Sequence, residues 1–282
     1  MATTDLHFIA GALHPTKRGV RFLGGNVDDG IQVDAAAAAI VAGNHTKGAF
    51  TCWLCVPDDT GTYTFFGTGD ANAVEYTTFS VEAGTIHVMM VKATPTTQID
   101  VNTASGTIKK HTLHHVAIVQ DATEMKIYID GVDMDLTWTV DTDRAQWFDD
   151  LNNIDGAHIG AADSIGGDAA LTQEFKGYIG DVKIWSSAAA AFTGITAQEV
   201  KDIMNGGSPQ STYLHNSWPL DCDLVDEGTG ADNGTAVGDI IFSDFNEFAS
   251  RLTFLETVPL TADNITIMAD KGVGYAYSVL AA

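Results

Sequence analysis

Carboxylates are the most abundant side chains in this sequence that could do chemistry. The chain carries 37 Asp and Glu against 14 Lys and Arg, a formal net charge of −23 at pH 7. A retaining glycosidase needs two carboxyl groups about 5–5.5 Å apart. Two acids at alternate positions of one strand could supply such a pair, but the closest glutamates, Glu75 and Glu82, are seven residues apart. We therefore expect no catalytic carboxylate pair, and predict that the protein is not an enzyme.

Histidines and cysteines could act as metal ligands. His114 and His115 are adjacent in a strand-like run, so they point to opposite faces and cannot share one ion. Cys52 and Cys55 also fall on opposite faces of one run, and Cys222 stands alone. A zinc site would need a further Cys or His pair at ligand spacing. We interpret the histidine pair and Cys52 as structural.

The aromatic side chains of Trp147 and Phe148 could stack on a sugar ring. They lie in the acidic, polar segment 141–153, which is predicted to be a loop. Trp147 is the better candidate for ligand binding, because its neighbours are polar. An aromatic anchor at a subunit contact is an equal alternative.

The charge balance and hydropathy exclude some partners. Phosphate groups are bound by Lys and Arg, so an excess of acids argues against nucleic acid. The same excess disfavours anionic membrane surfaces. No stretch approaches the roughly 20 apolar residues of a transmembrane helix, so we expect no membrane insertion.

Short alternating apolar runs between Gly and Asp turns predict antiparallel strands. Over 114–133 two such runs flank a polar turn, and Asp130-Gly131 is a second hairpin signal. After that turn, residues 132–140 continue to alternate and predict one half-buried strand.

One helix is predicted over residues 196–205, where Thr196 and Glu199 have the spacing of a capping box. Residues 50–56 and 63–67 are predicted to pair as a hairpin. Many short strands with one helix predict an all-β, two-sheet antiparallel sandwich, with the helix packed at its edge.

Four motifs occur in order along the chain. They are His114-His115-Val116-Ala117, Tyr128-Ile129-Asp130-Gly131, the run GYIGDVKIW from Gly177 to Trp185, and Trp218-Pro219-Leu220-Asp221. Together they resemble the laminin-G-like, concanavalin A-like jelly-roll family, and the resemblance covers about residues 18–242. It implies a jelly-roll β-sandwich over that range, with an N-terminal arm over 1–17 and a C-terminal β extension over 243–282.

The resemblance does not establish a cofactor, but it makes calcium a candidate. Family members often place calcium ligands on loops, and the loops that hold Asp70 (GTGDAN) and Asp163 (GAADS) are the candidates here. Carboxylate oxygens are the ligands that Ca²⁺ prefers. A second pair, Asp133 and Asp135, shares one strand face, which we interpret as a solvated acidic surface.

The family includes glycan-binding modules, adhesive or structural virion proteins and a minority of glycosidases. We expect first a non-enzymatic structural or adhesive virion protein, such as a tailed-phage capsid decoration or a tail or fibre component. The start MATT has no secretory pattern, and few unpaired cysteines suit assembly in a host cytoplasm. The alternative is a cell-surface or extracellular glycan-binding module, and a glycoside hydrolase is the third hypothesis.

The two ends are expected to take part in assembly. Residues 275–280 alternate as in a strand, and a strand with an open edge invites pairing with a neighbour. We therefore predict a homo-oligomer in which residues 1–17 and 243–282 contact other copies or capsid or tail proteins. The alternative is that the C-terminal segment completes the sandwich of its own chain.

Overall fold

The computed structural model describes residues 18–24, 28–70, 74–92, 96–151, 154–162 and 171–245. Within these ranges the chain forms sixteen β-strands and two α-helices. The predicted arm over 1–17 lies outside them, as do residues 246–282 of the extension predicted over 243–282, so the roles given to both ends stay predictions. Residues 243–244 belong to a strand that pairs with residues 18–19 of the same chain.

The strands form two antiparallel sheets, as predicted, and each sheet has eight strands. Sheet A contains, in spatial order, β10 (Val132–Asp133), β9 (Met125–Ile129), β8 (His114–Gln120), β3 (Lys47–Cys55), β13 (Gly177–Ser187), β1 (Arg18–Phe22) and β16 (Ile240–Asp244), and β14 (Leu214–Trp218) pairs with β13. Sheet B contains β11 (Leu136–Asp141), β7 (Thr96–Thr103), β6 (Thr85–Lys92), β5 (Tyr76–Glu82), β4 (Thr62–Gly69), β12 (Gly156–Ile159), β2 (Gly30–Gln32) and β15 (Thr235–Val237).

One apolar core fills the space between the two sheets. Phe50 of sheet A lies with its ring centroid 4.9 Å from that of Phe66 and 5.5 Å from that of Phe79, both on sheet B. Each sheet buries one face in this way because side chains alternate along a strand. None of the helices in the described ranges is long and apolar enough to cross a bilayer.

The hairpin predicted over 114–133 is present, because β8 pairs with β9 and β9 pairs with β10. Asp130 and Gly131 both have positive φ, 52° and 74°, as a two-residue hairpin turn requires. The prediction of one strand over 132–140 was wrong. β10 ends at Asp133 in sheet A, and β11 begins at Leu136 in sheet B, so the chain crosses between the sheets.

The hairpin predicted between residues 50–56 and 63–67 was also wrong, because β3 belongs to sheet A and β4 to sheet B. Both runs carry large aromatic side chains. Placing the runs in opposite sheets lets Phe50 pack against Phe66 across the core, with the two ring planes tilted by 39°.

The predicted helix is α2 (Ala197–Met204), and it begins with the predicted capping box. The Thr196 hydroxyl oxygen accepts the Glu199 N–H at 3.3 Å, and the Glu199 carboxylate accepts the Thr196 N–H at 2.8 Å. The other helix, α1 (Asp34–Ala42), buries Ile40 in the main core.

Helix α2 packs on the outer face of sheet A and not at the edge of the sandwich. Val200 and Ile203 of α2 share a second apolar cluster with Ala117 of β8, Tyr128 of β9 and Trp185 of β13. These sheet residues point away from the main core, so α2 shields a face of sheet A that would otherwise expose apolar surface.

The GYIGDVKIW motif begins with a glycine that no other residue can replace without strain. Gly177 has φ +137°, and a Cβ there would overlap the carbonyl oxygen of Cys55 on the paired strand β3. Gly106 also has positive φ, +77°, but a Cβ there would meet nothing within 4 Å. We expect Gly177→Ala to lower the free energy of unfolding by about 3 kcal/mol, since overpacking adds to backbone strain. Gly106→Ala should cost about 1 kcal/mol, from strain alone.

Urea denaturation of both variants checks this prediction. Equal losses of stability in the two variants would show that the contact between Gly177 and Cys55 does not constrain the fold.

Candidate functional site

Strand β5 gives sheet B a polar outer face. Phe79 and Val81 point into the core, so alternation turns Thr78 and Ser80 outward. These outward side chains are nevertheless only 5% and 2% exposed. They therefore form the floor of a depression and are not part of an open surface.

Strand register brings further polar side chains beside this floor. Ser80 lies opposite His87 of β6, which lies opposite Asn102 of β7. The depression has a volume of about 680 Å³. Its lining comprises Tyr76, Thr78, Ser80 and Glu82 of β5, Thr85, His87 and Met89 of β6, Asp100 and Asn102 of β7, and also Thr62, Ala83, Thr139 and Gln173.

His87 is held between two carboxylates at one side of the depression. Its Nδ1 lies 2.9 Å from Glu82 Oε2, and its Nε2 lies 3.1 Å from Asp100 Oδ1. Both ring nitrogens can donate at once only in the protonated imidazolium. The three side chains therefore fix one another, and neither nitrogen of His87 is left to contact a ligand.

Tyr76 supplies an aromatic ring to the depression. Its hydroxyl lies 3.3 Å from Met89 Sδ, which orients the ring. Burial, and then the negative charge of Asp100, raise the pKa of Tyr76, so the phenol keeps its proton at neutral pH. A flat ring beside hydroxyl and amide groups is a combination that binds the apolar face and the hydroxyls of a sugar.

The structure corrects the expectation that Trp147 and Phe148 stack on a ligand. The two side chains are 0% and 1% exposed, and their centroids lie 4.5 Å apart in the main core. Phe148 packs 5.8 Å from Phe66, and Trp147 packs 6.3 Å from Phe79. In this position neither ring can reach a ligand or a neighbouring subunit.

Of the two predicted calcium ligands, Asp70 lies among the described residues. Asp70 is 3% exposed at the end of β4, where its N–H donates to the Glu75 carbonyl oxygen at 2.9 Å. Asp163 lies outside the described residues. Among the residues that are described, no group of three or more His, Cys, Asp or Glu side chains could hold a metal ion.

His114 and His115 stand on opposite faces of β8 and serve the framework. His114 Nδ1 donates to Asp130 Oδ2 at 2.8 Å, and its Nε2 accepts the Lys109 N–H at 3.2 Å. His115 packs edge-on against Trp53, with centroids 5.1 Å apart. These contacts join the DG turn to the central strands of sheet A.

The cysteines are all free, and two are buried. Cys52 lies in the main core, whereas Cys55 packs beside Tyr178 on the other face of β3. Burial raises the pKa of the Cys55 thiol to about 12, so it stays a neutral thiol at physiological pH.

The depression lies wholly within the part of the sequence that matches a known family. Residues 24–191 match the model of the concanavalin A-like lectin/glucanases superfamily. The chain belongs to this superfamily. That membership confirms the family resemblance and agrees with the two antiparallel sheets. Three of the four sequence motifs lie within the matched residues, whereas Trp218-Pro219-Leu220-Asp221 lies beyond them. No curated protein matches the chain.

Solved structures share the fold at low sequence identity. The heptameric SAP-like pentraxin of Limulus polyphemus matches with a TM-score of 0.51 and 12% identity, over 83% of this chain and 97% of the pentraxin chain. NanB, a sialidase of Streptococcus pneumoniae, matches with a TM-score of 0.50 and 16% identity, over 66% of this chain and 27% of NanB. The CBM40 of a Ruminococcus gnavus IT-sialidase matches with a TM-score of 0.49 and 11% identity, over 65% of this chain and 97% of that chain.

The depression consists of residues that the sequence did not indicate as a binding site, and Glu82 was considered only for a catalytic pair. Tyr76, Thr78, Ser80 and Glu82 are alternate residues of strand β5, and their polar character is visible in the sequence. The signal is common to every half-buried strand, so only the pairing of β5 with β6 and β7 distinguishes these residues from a solvated face.

The contact between Asp130 and the histidine pair predicts a pH dependence of stability. Burial raises the pKa of Asp130, but hydrogen bonds from His114 and the His115 N–H outweigh it and hold the pKa below the ordinary value of 3.8. The carboxylate therefore stabilises the folded state at pH values above its ordinary pKa. This stabilisation is lost as the pH falls through the lower pKa of the folded state.

We expect Asp130→Asn to cost about 1 kcal/mol at pH 7 through the loss of one charged hydrogen bond, because Asn tolerates the positive φ of the turn. The difference between variant and wild type should shrink near pH 3. Urea denaturation at both pH values measures it, with Asp135→Asn at an exposed position as the control. A cost that does not change between the two pH values would contradict the assigned role of the carboxylate.

Proposed function

We propose that the protein is a non-enzymatic, lectin-like glycan-binding module, and that its site is the depression on the outer face of sheet B. The observation that carries the proposal is the sheltered polar floor of Thr78 and Ser80 beside the ring of Tyr76. Membership of a superfamily of lectins and glucanases supports a glycan as the ligand.

The chemistry of the depression suits a sugar better than an apolar ligand. A sugar presents many hydroxyl groups, each of which both donates and accepts, and an apolar face of C–H groups. Thr, Ser and Asn side chains match the hydroxyls, and Tyr76 matches the apolar face. The volume of about 680 Å³ falls within the range of about 300–1,000 Å³ that is usual for small-molecule sites.

The position of His87 supports binding without hydrolysis. Of the described lining residues, Glu82 and Asp100 are the carboxylates, and both contact the imidazole that lies between them. A glycosidase needs the space between its two carboxyl groups for the glycosidic bond, and an inverting enzyme also needs it for a water molecule. Here a side chain fills that space.

The superfamily match and the depression favour the glycan-binding alternative over the virion role that we expected first. Both observations concern a ligand, whereas the described residues carry no feature that indicates a capsid or tail partner. The proposal places the action of the protein where glycans are displayed, at a cell surface or outside the cell.

Replacing the aromatic ring tests the proposed site. We expect Tyr76→Ala to weaken glycan binding about tenfold, equivalent to about 1.4 kcal/mol, because the stacking surface is lost. Tyr76→Phe keeps the ring and should change the affinity by no more than about threefold. Phe242→Ala, which removes a 39% exposed ring on sheet A, is the matched control and should bind as wild type does.

A glycan array selects the ligand, and isothermal titration calorimetry on the full chain measures the affinity of each variant. Chromatography of the recovered ligand tests for hydrolysis. The proposal fails if no glycan binds, if Tyr76→Ala binds as tightly as wild type, or if the ligand is cleaved.

A further inference from the structure

The electrostatics of the depression point to the class of glycan that it takes. We infer that the site binds glycans without acidic groups and discriminates against sialylated, uronic acid-containing and sulfated ones. This inference rests on the proposed function, since it concerns the specificity of the same site.

Within the part of the chain that the structure describes, the lining of the depression lacks the residues that bind acidic sugars. None of its thirteen side chains is Lys or Arg, whereas Glu82 and Asp100 are carboxylates. A carboxylate or sulfate ligand is held by charge-assisted hydrogen bonds, and guanidinium or ammonium groups normally supply them. Backbone N–H groups are no substitute here, because paired strands use them within the sheet.

His87 cannot fill the missing role. Its two ring nitrogens already face Glu82 and Asp100, so no N–H is left to donate to a ligand anion. Its charge also does not reverse the sign of the site. Two carboxylates face the one imidazole, so the imidazole offsets at most one of their charges and a ligand anion still meets repulsion.

Basic residues next to the lining strands are also engaged. Lys92, at the end of β6, lies 3.3 Å from Asp150, and Arg144, which follows β11, lies 2.8 Å from Asp141. Their charges are therefore offset before a ligand arrives. The net charge of −23 adds a long-range repulsion of polyanionic glycans that weakens as salt rises.

The remaining lining groups match neutral hydroxyls. Thr85 Oγ1 donates to the Glu82 carbonyl oxygen at 2.8 Å and lies 3.4 Å from Asn102 Oδ1. Asn102 lies opposite His87 and is separated by that strand from Ser80 of the floor. Uncharged donors and acceptors of this kind bind sugar hydroxyls without needing to offset a charge.

Matched glycan pairs test the inference. Each pair consists of a neutral oligosaccharide and its acidic derivative. Examples are lactose and α2,3-sialyllactose, or a neutral disaccharide and its sulfated form. The full chain should bind the acidic member of a pair at least tenfold more weakly, by calorimetry at 150 mM NaCl. Raising NaCl to 500 mM should remove less than half of this difference in affinity. Salt screens the long-range field of the protein, whereas it screens contacts inside the depression less.

Removing one lining charge should reduce the discrimination. We expect Glu82→Gln to reduce the ratio of the affinity for the neutral glycan to that for the acidic glycan at least threefold. Asp100→Asn should reduce this ratio by a similar factor. Glu227→Gln, an exposed glutamate away from the depression, is the matched control and should leave the ratio unchanged. Thermal melts of all variants show whether each one is folded.

The outcomes separate the inference from the proposed function. If acidic members bind as tightly as neutral ones while Tyr76→Ala still weakens binding, the inference is overturned and the glycan site stands. If both lining variants are folded and keep the wild-type ratio, the assigned source of the discrimination is wrong. If no glycan binds at all, the proposed function falls, and the inference falls with it.

Discussion

The depression exists because Phe79 is buried. Its ring lies 5.5 Å from that of Phe50 across the core and 5.7 Å from that of Phe66 on the neighbouring strand. Alternation then places Thr78 and Ser80 on the solvent side, and a slip of one residue would exchange the two sets. Burying a Phe ring contributes about 1.5–3 kcal/mol, and a hydroxyl in the core without a partner costs about 1–3 kcal/mol. Both effects favour the observed register, so the core selects the face that carries the site.

Trp147 and Phe148 are buried although their neighbours in the sequence are polar, so polar neighbours did not indicate exposed rings. The neighbours form hydrogen bonds with one another and with the framework, and do not need to face water. Gln146 donates to Asp143 at 2.9 Å, and its carbonyl oxygen accepts the Gln120 amide at 2.9 Å. The Asp150 carboxylate accepts the Trp147 N–H at 3.2 Å. A short 3-10 turn stabilised in this way can direct two large rings inward, which residue type alone does not reveal.

Motifs of neighbouring residues predicted much of the fold. The site depends on contacts between strands that are distant in the sequence, which such motifs do not indicate. The capping box of α2 and the Asp130-Gly131 turn depend on residues a few positions apart, so their spacing can be read directly. The assignment of β3 and β4 to opposite sheets depends on contacts across the core, and the sequence analysis missed it. The site is less accessible still, since Ser80, His87 and Asn102 meet only through the register of three strands. An alternating polar pattern defines each strand, but not which strands lie side by side.

The acidic composition has a structural origin that bears on ligand choice. Many of its carboxylates organise turns: Asp58 accepts the N–H groups of Thr60 and Gly61, and Asp121 those of Thr123 and Glu124. Asp226, 7% exposed, accepts four hydrogen bonds that fold the loop after β14. A jelly roll with many short strands needs many such turns, and Asp is well suited to them. The negative electrostatic field of the protein is thus a consequence of its architecture. This field acts on a charged ligand at any site of the molecule, whether or not the site itself is charged.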